Sequence, residues 1–295
     1  YAVSDDGFLL QINLNDGKLI QKIKLPAELS DPFVAAKNNE VWIGDANGNV
    51  LGADGVAGKI LWSFAADGKV RGINASGGNV YFGSYGSKLY CLERWSGKLV
   101  KEFSGAGYVN SAPAVGNNLA VFADCGGQLS VVRNAAELTS MALGDYIPSS
   151  PVLFAEGRAA VINYSGSLKI VDVDRMQLLN EISLGNDQPY LLSPVAVGAA
   201  LAVVSGRGTV IAYQTGDYQE VARVELDRKF TAAETSEGKL ILSSEEGLIC
   251  ALSMPELKPL WKIDTLYSFQ DRFTVANNSL LIADEDGNLY CYRNL

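Results

Sequence analysis

The chain contains no histidine. That single absence removes Ser-His-Asp and Cys-His catalysis, His-ligated metals and an imidazole pH switch together. No apolar run approaches the ~20 residues that a membrane-spanning helix needs. No signal-peptide pattern opens the chain, and Tyr1 stands where a start methionine would, so removal of an upstream segment is expected. Positive charge is scarce: 24 Lys and Arg against 33 Asp and Glu leave −9 at pH 7. Such a surface repels a polyphosphate, which argues against nucleic acid as a partner. Amphipathic helical patterning is missing too, apart from a weak trace over Asn134–Met141.

What is present points to a folded all-β protein. Hydrophobic residues make up 48% of the 295 and charged residues 19%, which suits a buried core. Thirty glycines and thirteen tyrosines accompany many short Val, Ile and Leu runs, the composition of strands joined by tight turns. A single pattern then recurs along the whole chain. Anchored on a turn residue, it falls at Gly7, Gly48, Ser87, Gly127, Gly166, Gly208, Gly247 and Gly287, spaced 39 to 42 residues apart. Two residues after each anchor stand Leu9, Val50, Leu89, Leu129, Leu168, Val210, Ile249 and Leu289. Five before it stand Ala2, Ile43, Phe82, Phe122, Val161, Val203, Leu242 and Ile282. Sixteen after it, the seven residues from Ile23 to Ile263 are again all apolar.

Each unit predicts four short strands, A to D. B precedes the anchor, as in Val80–Gly83, and C follows it, as in Lys88–Leu92. The B–C turn takes glycine because glycine accepts a positive φ at no steric cost. D follows a second turn, as in Lys59–Phe64, where Gly17, Gly58 and Gly97 each precede a lysine. Pro32, Pro113, Pro151 and Pro194 sit where A strands begin, a position that tolerates a missing N–H. Units of about 40 residues with four strands are the signature of a β-propeller. The expectation is therefore one domain over residues 1–295: an eight-bladed propeller of four-stranded antiparallel blades, with seven blades as the alternative. Counting strands leaves B, C and D in the first unit and A, B and C in the last. About twenty further residues upstream are expected to supply the missing A and D strands, because open edges are avoided.

The stretch from Val80 to Val100, Val-Tyr-Phe-Gly-Ser-Tyr-Gly-Ser-Lys-Leu-Tyr-Cys-Leu-Glu-Arg-Trp-Ser-Gly-Lys-Leu-Val, resembles the PQQ-like repeat. So does Gly48 onward through Ala57-Gly-Lys-Ile-Leu-Trp-Ser-Phe64, with Trp62 at the position of that family's docking tryptophan and Trp261 in the same column. Gln21, Lys101, Met141, Asn180 and Ala222 occupy the column in the other units. The quinoprotein dehydrogenase branch of this family binds pyrroloquinoline quinone and calcium. This chain has no adjacent Cys-Cys pair and no tryptophan in every unit. The branch serving bacterial outer-membrane β-barrel assembly is closer in character. That resemblance implies a non-catalytic periplasmic protein without a cofactor, anchored at the outer membrane through an upstream lipoprotein segment. It further implies a monomer working within a larger complex. A quinone-dependent enzyme and a ligand-sensing ectodomain are the alternatives.

Candidate chemistry is sparse. Asp5-Asp6-Gly7, Asp45-Ala-Asn-Gly48 and Asp284-Glu-Asp-Gly287 are acidic enough to suggest calcium, but lack EF-hand spacing and match ordinary hairpin turns. No metal site is expected. Of the four cysteines, Cys91 and Cys291 share a column, which places them in different blades, and Cys250 faces the other side of its sheet from that column. Together with Cys125 they read as small buried apolar residues, with no disulfide. No serine or carboxylate pair shares a column with a base, so no catalytic residue is assigned. The D-to-A connections, by contrast, carry Arg71, Tyr108, Tyr146, Tyr190, Arg228, Tyr267, Phe269 and Arg272. Tyrosine and arginine are enriched at interface hot spots, and these connections share an edge with the B–C hairpins. They are the expected contacts to a protein partner, with plugging of the joints between blades as the competing role.

Overall fold

The computed structural model describes residues 1–4, 6–26, 29–155, 157–185, 192–276 and 278–293. Those residues form strands and turns, with no helix. The chain makes two compact units, Tyr1–Pro151 and Val152–Leu295. In the first unit, sheets occupy residues 2–24, 33–65, 73–104 and 114–142; in the second, 152–183, 195–225, 230–264 and 269–293. All eight are antiparallel with strands hydrogen-bonded in chain order. Six have four strands. The first, Ala2–Ser4, Phe8–Ile12 and Leu19–Lys24, has three, as does the last, Phe269–Ala276, Ser279–Asp284 and Leu289–Arg293. These are the B, C, D and A, B, C sets that the repeat spacing predicts. The fold class is an eight-bladed β-propeller.

Burial explains the repeat columns. The B and C strands lie in the middle of their sheets and are covered on both faces: Asn79–Gly83 and Lys88–Glu93 are buried except at their ends. They therefore read as continuous apolar runs, whereas D strands alternate. Core side chains interleave between successive sheets within each unit. Trp42, Val50 and Trp62 of the second sheet pack against Val80, Phe82 and Tyr90 of the third. Ile162 and Leu168 of the fifth meet Leu201 and Val203 of the sixth. In the second unit the A strands of successive sheets contact one another, and in the first unit Ile73–Ser76 contacts Ala114–Gly116. The D strands are left as the outer edges.

The turn glycines adopt the left-handed conformation expected of them: Gly48 has φ +86°, and a Cβ there would sit 2.8 Å from the Ala66 carbonyl oxygen. Ser87 is the exception that adopts φ +62° with a side chain. The weak helical trace over Asn134–Met141 is overturned. Asn134 and Ala135 form a turn with positive φ, and Glu137–Ala142 is a D strand in register with Gln128–Arg133. Sheet pairing outweighs a local Ala-Ala-Glu-Leu preference.

A second periodic feature was not visible in the sequence. In six of the seven described D strands the pairing with C shifts register four to five residues after the anchor, between Gln11/Ile12, Gly52/Ala53, Cys91/Leu92, Ile170/Val171, Ala212/Tyr213 and Ala251/Leu252. The unpaired D residues at these bulges are Ile20, Leu61, Val100, Leu179, Val221 and Leu260, and all six are exposed aliphatics. Their exposure follows from the bulge, which throws one residue out of the ladder.

Candidate interaction edge

The D-to-A connections and B–C hairpins are joined by backbone hydrogen bonds. Val70 N–H donates to the Asp45 carbonyl (3.0 Å), Tyr85 to Lys69 (2.9 Å), Val109 to Ser84 (3.0 Å) and Cys125 to Tyr108 (2.9 Å). Each connection is thus zipped to the hairpins beside it, and side chains from both share one edge of the first unit.

Seven of the eight hairpins are themselves built on a buried polar column that sequence reading missed, three residues before the anchor. Asp45, Ser84, Asp124, Asn163, Ser205, Ser244 and Asp284 are all buried there. Asp45 Oδ1 accepts from the backbone of Asn47 (3.0 Å) and Asn49 (2.7 Å), and Oδ2 accepts from Asn49 Nδ2 (2.8 Å) and Ser30 N–H (3.2 Å). Asp124 accepts from Gly126 and Gln128, Ser205 from Arg207 and Thr209, and Asp284 from Asn288. The side chain caps the turn, supplying the acceptor that its backbone donors need. Asp284 also accepts from Asn288 Nδ2 (2.9 Å) and the Tyr290 hydroxyl (2.8 Å), and these donors hold its carboxyl below the usual range. The acidic turns around Asp45 and Asp284 are accounted for as caps. Among the described residues no group of three or more Cys, Asp or Glu is placed to hold a metal.

In the first unit the structure brings three tyrosines together. Tyr108 is 43% exposed, and its ring centroid lies 5.0 Å from that of Tyr85, itself 37% exposed. The Tyr85 hydroxyl donates to Asn110 Oδ1. Tyr146 is half-buried and hydrogen-bonded to the Cys125 thiol; burial, then the neighbouring thiol and Tyr108, push its hydroxyl up to about 12. Arg71, half-buried, sits 3.1 Å from Asp31 Oδ2, which also pairs with Lys69 at 2.8 Å.

In the second unit, Tyr267 is exposed and stacks on Tyr290 with centroids 4.6 Å apart. Arg228 is exposed, 3.7 Å from Glu246, beside the Lys229–Glu245 pair. Arg272 is exposed within the irregular stretch where pairing jumps from Phe269↔Asp284 to Phe273↔Ile282. Phe269 is only 1% exposed and packs with Ile241, Ile249 and Phe273, so its ring builds the core between sheets. Tyr190 lies outside the described residues. Tyr85, Asn110 and Tyr290 were missed; the signal for Tyr85 was its place at a B–C hairpin tip.

The opposite edge carries the Gly-Lys turns, with Lys18, Lys59 and Lys98 exposed. It is less plain than the sequence implies, since Val56 and Trp95 project from two of its turn tips. In the second unit a cleft of ≈ 510 Å³ opens among Val197, Ala200, Val221, Met254 and Pro255, with no charged group in its lining. No disulfide joins the four cysteines, and Cys291, expected to be buried, is exposed at its place in the last sheet. Burial pushes Cys91 and Cys250 up to about 11 and Cys125 upward as well, which leaves all three poor nucleophiles.

The repeat, the blade topology and the tryptophan column resemble those of PQQ-like β-propellers. The family model described as outer membrane protein assembly factor BamB matches residues 46–140. The chain is 23% identical over 287 residues to outer membrane protein assembly factor BamB of Yersinia pestis, covering 87% of this chain and 72% of that one. Among solved structures, the computationally designed Ika8 protein superposes with a TM-score of 0.87 at 16% identity, covering 99% of this chain and 92% of its own. BamB of Moraxella catarrhalis superposes with a TM-score of 0.81 at 15% identity and the same coverage. The propeller is thus similar to BamB in sequence and in fold, and to a designed propeller in fold.

Proposed function

We propose that this protein is a non-catalytic, protein-binding scaffold of the cell envelope, located in the periplasm beside the machinery of outer-membrane protein assembly. Its partner is taken on the edge where D-to-A connections meet B–C hairpins, without a cofactor. The observation that carries this reading is the Tyr85–Tyr108–Tyr146 cluster. Tyrosines on connections and hairpins tied to one another by backbone hydrogen bonds lose little entropy on binding and offer apolar area with a polar tip. No helix among the described residues is long and apolar enough to cross a membrane, and the likeness to BamB supports a protein partner within an assembly.

The test is affinity for the outer-membrane assembly complex, measured with purified components. Tyr108→Ala, Tyr146→Ala and Tyr267→Ala are made singly, each checked for unchanged thermal stability. At least one is expected to weaken binding about thirtyfold, the equivalent of ~2 kcal/mol for a hot-spot aromatic. Reversing Lys18, Lys59 and Lys98 to Glu together is expected to leave binding nearly intact. Loss of binding in the lysine variant with all three tyrosine variants unaffected reverses the choice of edge. A quinone absorption band after addition of pyrroloquinoline quinone and calcium overturns the scaffold reading in favour of an enzyme.

A further inference from the structure

An outermost strand presents unpaired N–H and C=O groups, and natural sheets protect such edges with bulges and charges. Six of the seven described D strands carry the bulge at one shared place, and five of those also carry a charge inside the strand: Lys22, Lys101, Glu181, Arg223 and Lys262. The D strand of the fourth sheet, Glu137–Ala142, has neither. It pairs with Gln128–Arg133 through six consecutive residues without a register shift. Its turn is short, and where the register shifts elsewhere Val131 and Val132 pair consecutively with Thr139 and Leu138; Ser140 stands opposite Ser130 with the two hydroxyls 2.9 Å apart. From Leu138 to Ala142 the strand is uncharged.

We propose that this strand is a self-pairing edge, through which two copies of the chain join Glu137–Ala142 antiparallel into one continuous eight-stranded sheet. A two-fold axis perpendicular to a sheet sets residues of the same face opposite each other, so the register is centred on a residue. Centred on Ser140, it opposes Ser140 to Ser140, Thr139 to Met141 and Leu138 to Ala142. No like charges meet, and the Ser130–Ser140 pair extends into a ladder of four hydroxyls. The same operation on Leu99–Ser104, centred on Lys101, sets two ammonium groups against each other. That self-complementarity selects a second copy as the occupant. One strand pair buries less than the ~1,200 Å² at the low end of stable interfaces, so the dimer is weak and forms at high concentration. The monomer that the resemblance implies is its dilute state, and the tyrosine-bearing edge plays no part in it.

Sedimentation velocity over a wide concentration series tests this. Wild type is expected to shift reversibly from monomer to dimer. Ser140→Lys and Ser140→Glu, each with unchanged thermal stability, are expected to raise the dissociation constant more than tenfold by opposing like charges. Their equimolar mixture is expected to regain dimers, because Lys then faces Glu. Tyr108→Ala should dimerise as wild type does. A wild type that stays monomeric at every concentration overturns the proposal and leaves a foreign strand as the occupant of this edge. Variants that dimerise unchanged, or a mixture that stays monomeric, overturn it equally.

Discussion

Arg94 shows how one side chain ties neighbouring sheets together. Its guanidinium forks onto Glu40, with Nη2 2.8 Å from Oε1, and also donates to the Gly77 carbonyl at 3.1 Å. The ring faces of Trp42 and Trp95 lie 5.5 Å from it. Both charged groups are largely shielded, 14% and 11% exposed as side chains. Removing one member of such a pair strands the other without solvent. Glu40→Ala is therefore expected to cost about 3–5 kcal/mol in urea unfolding, whereas the exposed Arg223–Glu220 pair should cost under ~1 kcal/mol when Glu220 is replaced. Neither Glu40 nor Arg94 occupies a repeating column, and their pairing across 54 residues was not legible before the sheets were placed. The same holds for Phe269, which shares a connection with exposed Tyr267 yet turns into the core.

Between elements, a size relation governs how one sheet docks on the next. Trp62 lies over Gly97 of the following sheet, where a Cβ would come 2.5 Å from the indole, and its Nε1 donates to the Arg94 carbonyl at 3.0 Å. Gln21 stands in the same relation to Gly58 and donates to the Val56 carbonyl at 3.1 Å. Where the tryptophan column holds Ala222, the partner column holds Leu257, buried at 3% despite φ +54°. At these three junctions a large side chain faces glycine and a small one faces leucine. In wild type, Gly97→Leu is expected to be severely destabilising through overpacking, and Trp62→Ala to cost about 3–5 kcal/mol through the cavity it leaves. The double variant should be more stable than the sum of the two predicts by over ~1 kcal/mol, read from a double-mutant cycle in urea. Strict additivity would show that the two columns do not touch energetically. Both columns were visible in the sequence as an eroded tryptophan and a drifting glycine, but their complementarity lies across a junction that only packing reveals.

For the whole molecule, acid stability follows from carboxylates held by donors. Asp172 and Glu181 are lowered by hydrogen bonds from Arg175 and from Lys169, Glu220 by Arg223, and Asp284 by Asn288. A depressed folded-state pKa contributes stability that is present above the unfolded value near 4 and lost as pH falls through the folded one. Glu234 acts in the opposite sense, since burial raises it and protonation relieves it. With Asp6, lowered by its hydrogen bond from Ser4, five groups against one predict that the thermal midpoint drops as pH falls below about 4. With no histidine, and the buried amine of Tyr1 set aside, little titrates between about pH 5 and 8, so the midpoint should be nearly flat there. A steep change across that interval, followed by differential scanning calorimetry, would contradict this account.

The sequence by itself determined the repeat, its strand order and the number of blades. B and C strands are buried on both faces, and that constraint leaves an apolar residue at the same step in unit after unit. The tight B–C turn likewise leaves a glycine. It also determined which chemistry is absent, because an imidazole that is not encoded cannot be assembled by folding. Tertiary structure alone decided which connection residues stay outside, as with Tyr108 against Phe269, and which acidic turns are caps. It alone decided that one outer strand runs without a bulge. Those outcomes depend on register and on neighbours carried by other strands and turns, and a side chain's surroundings, unlike its own polarity, are not written at its position.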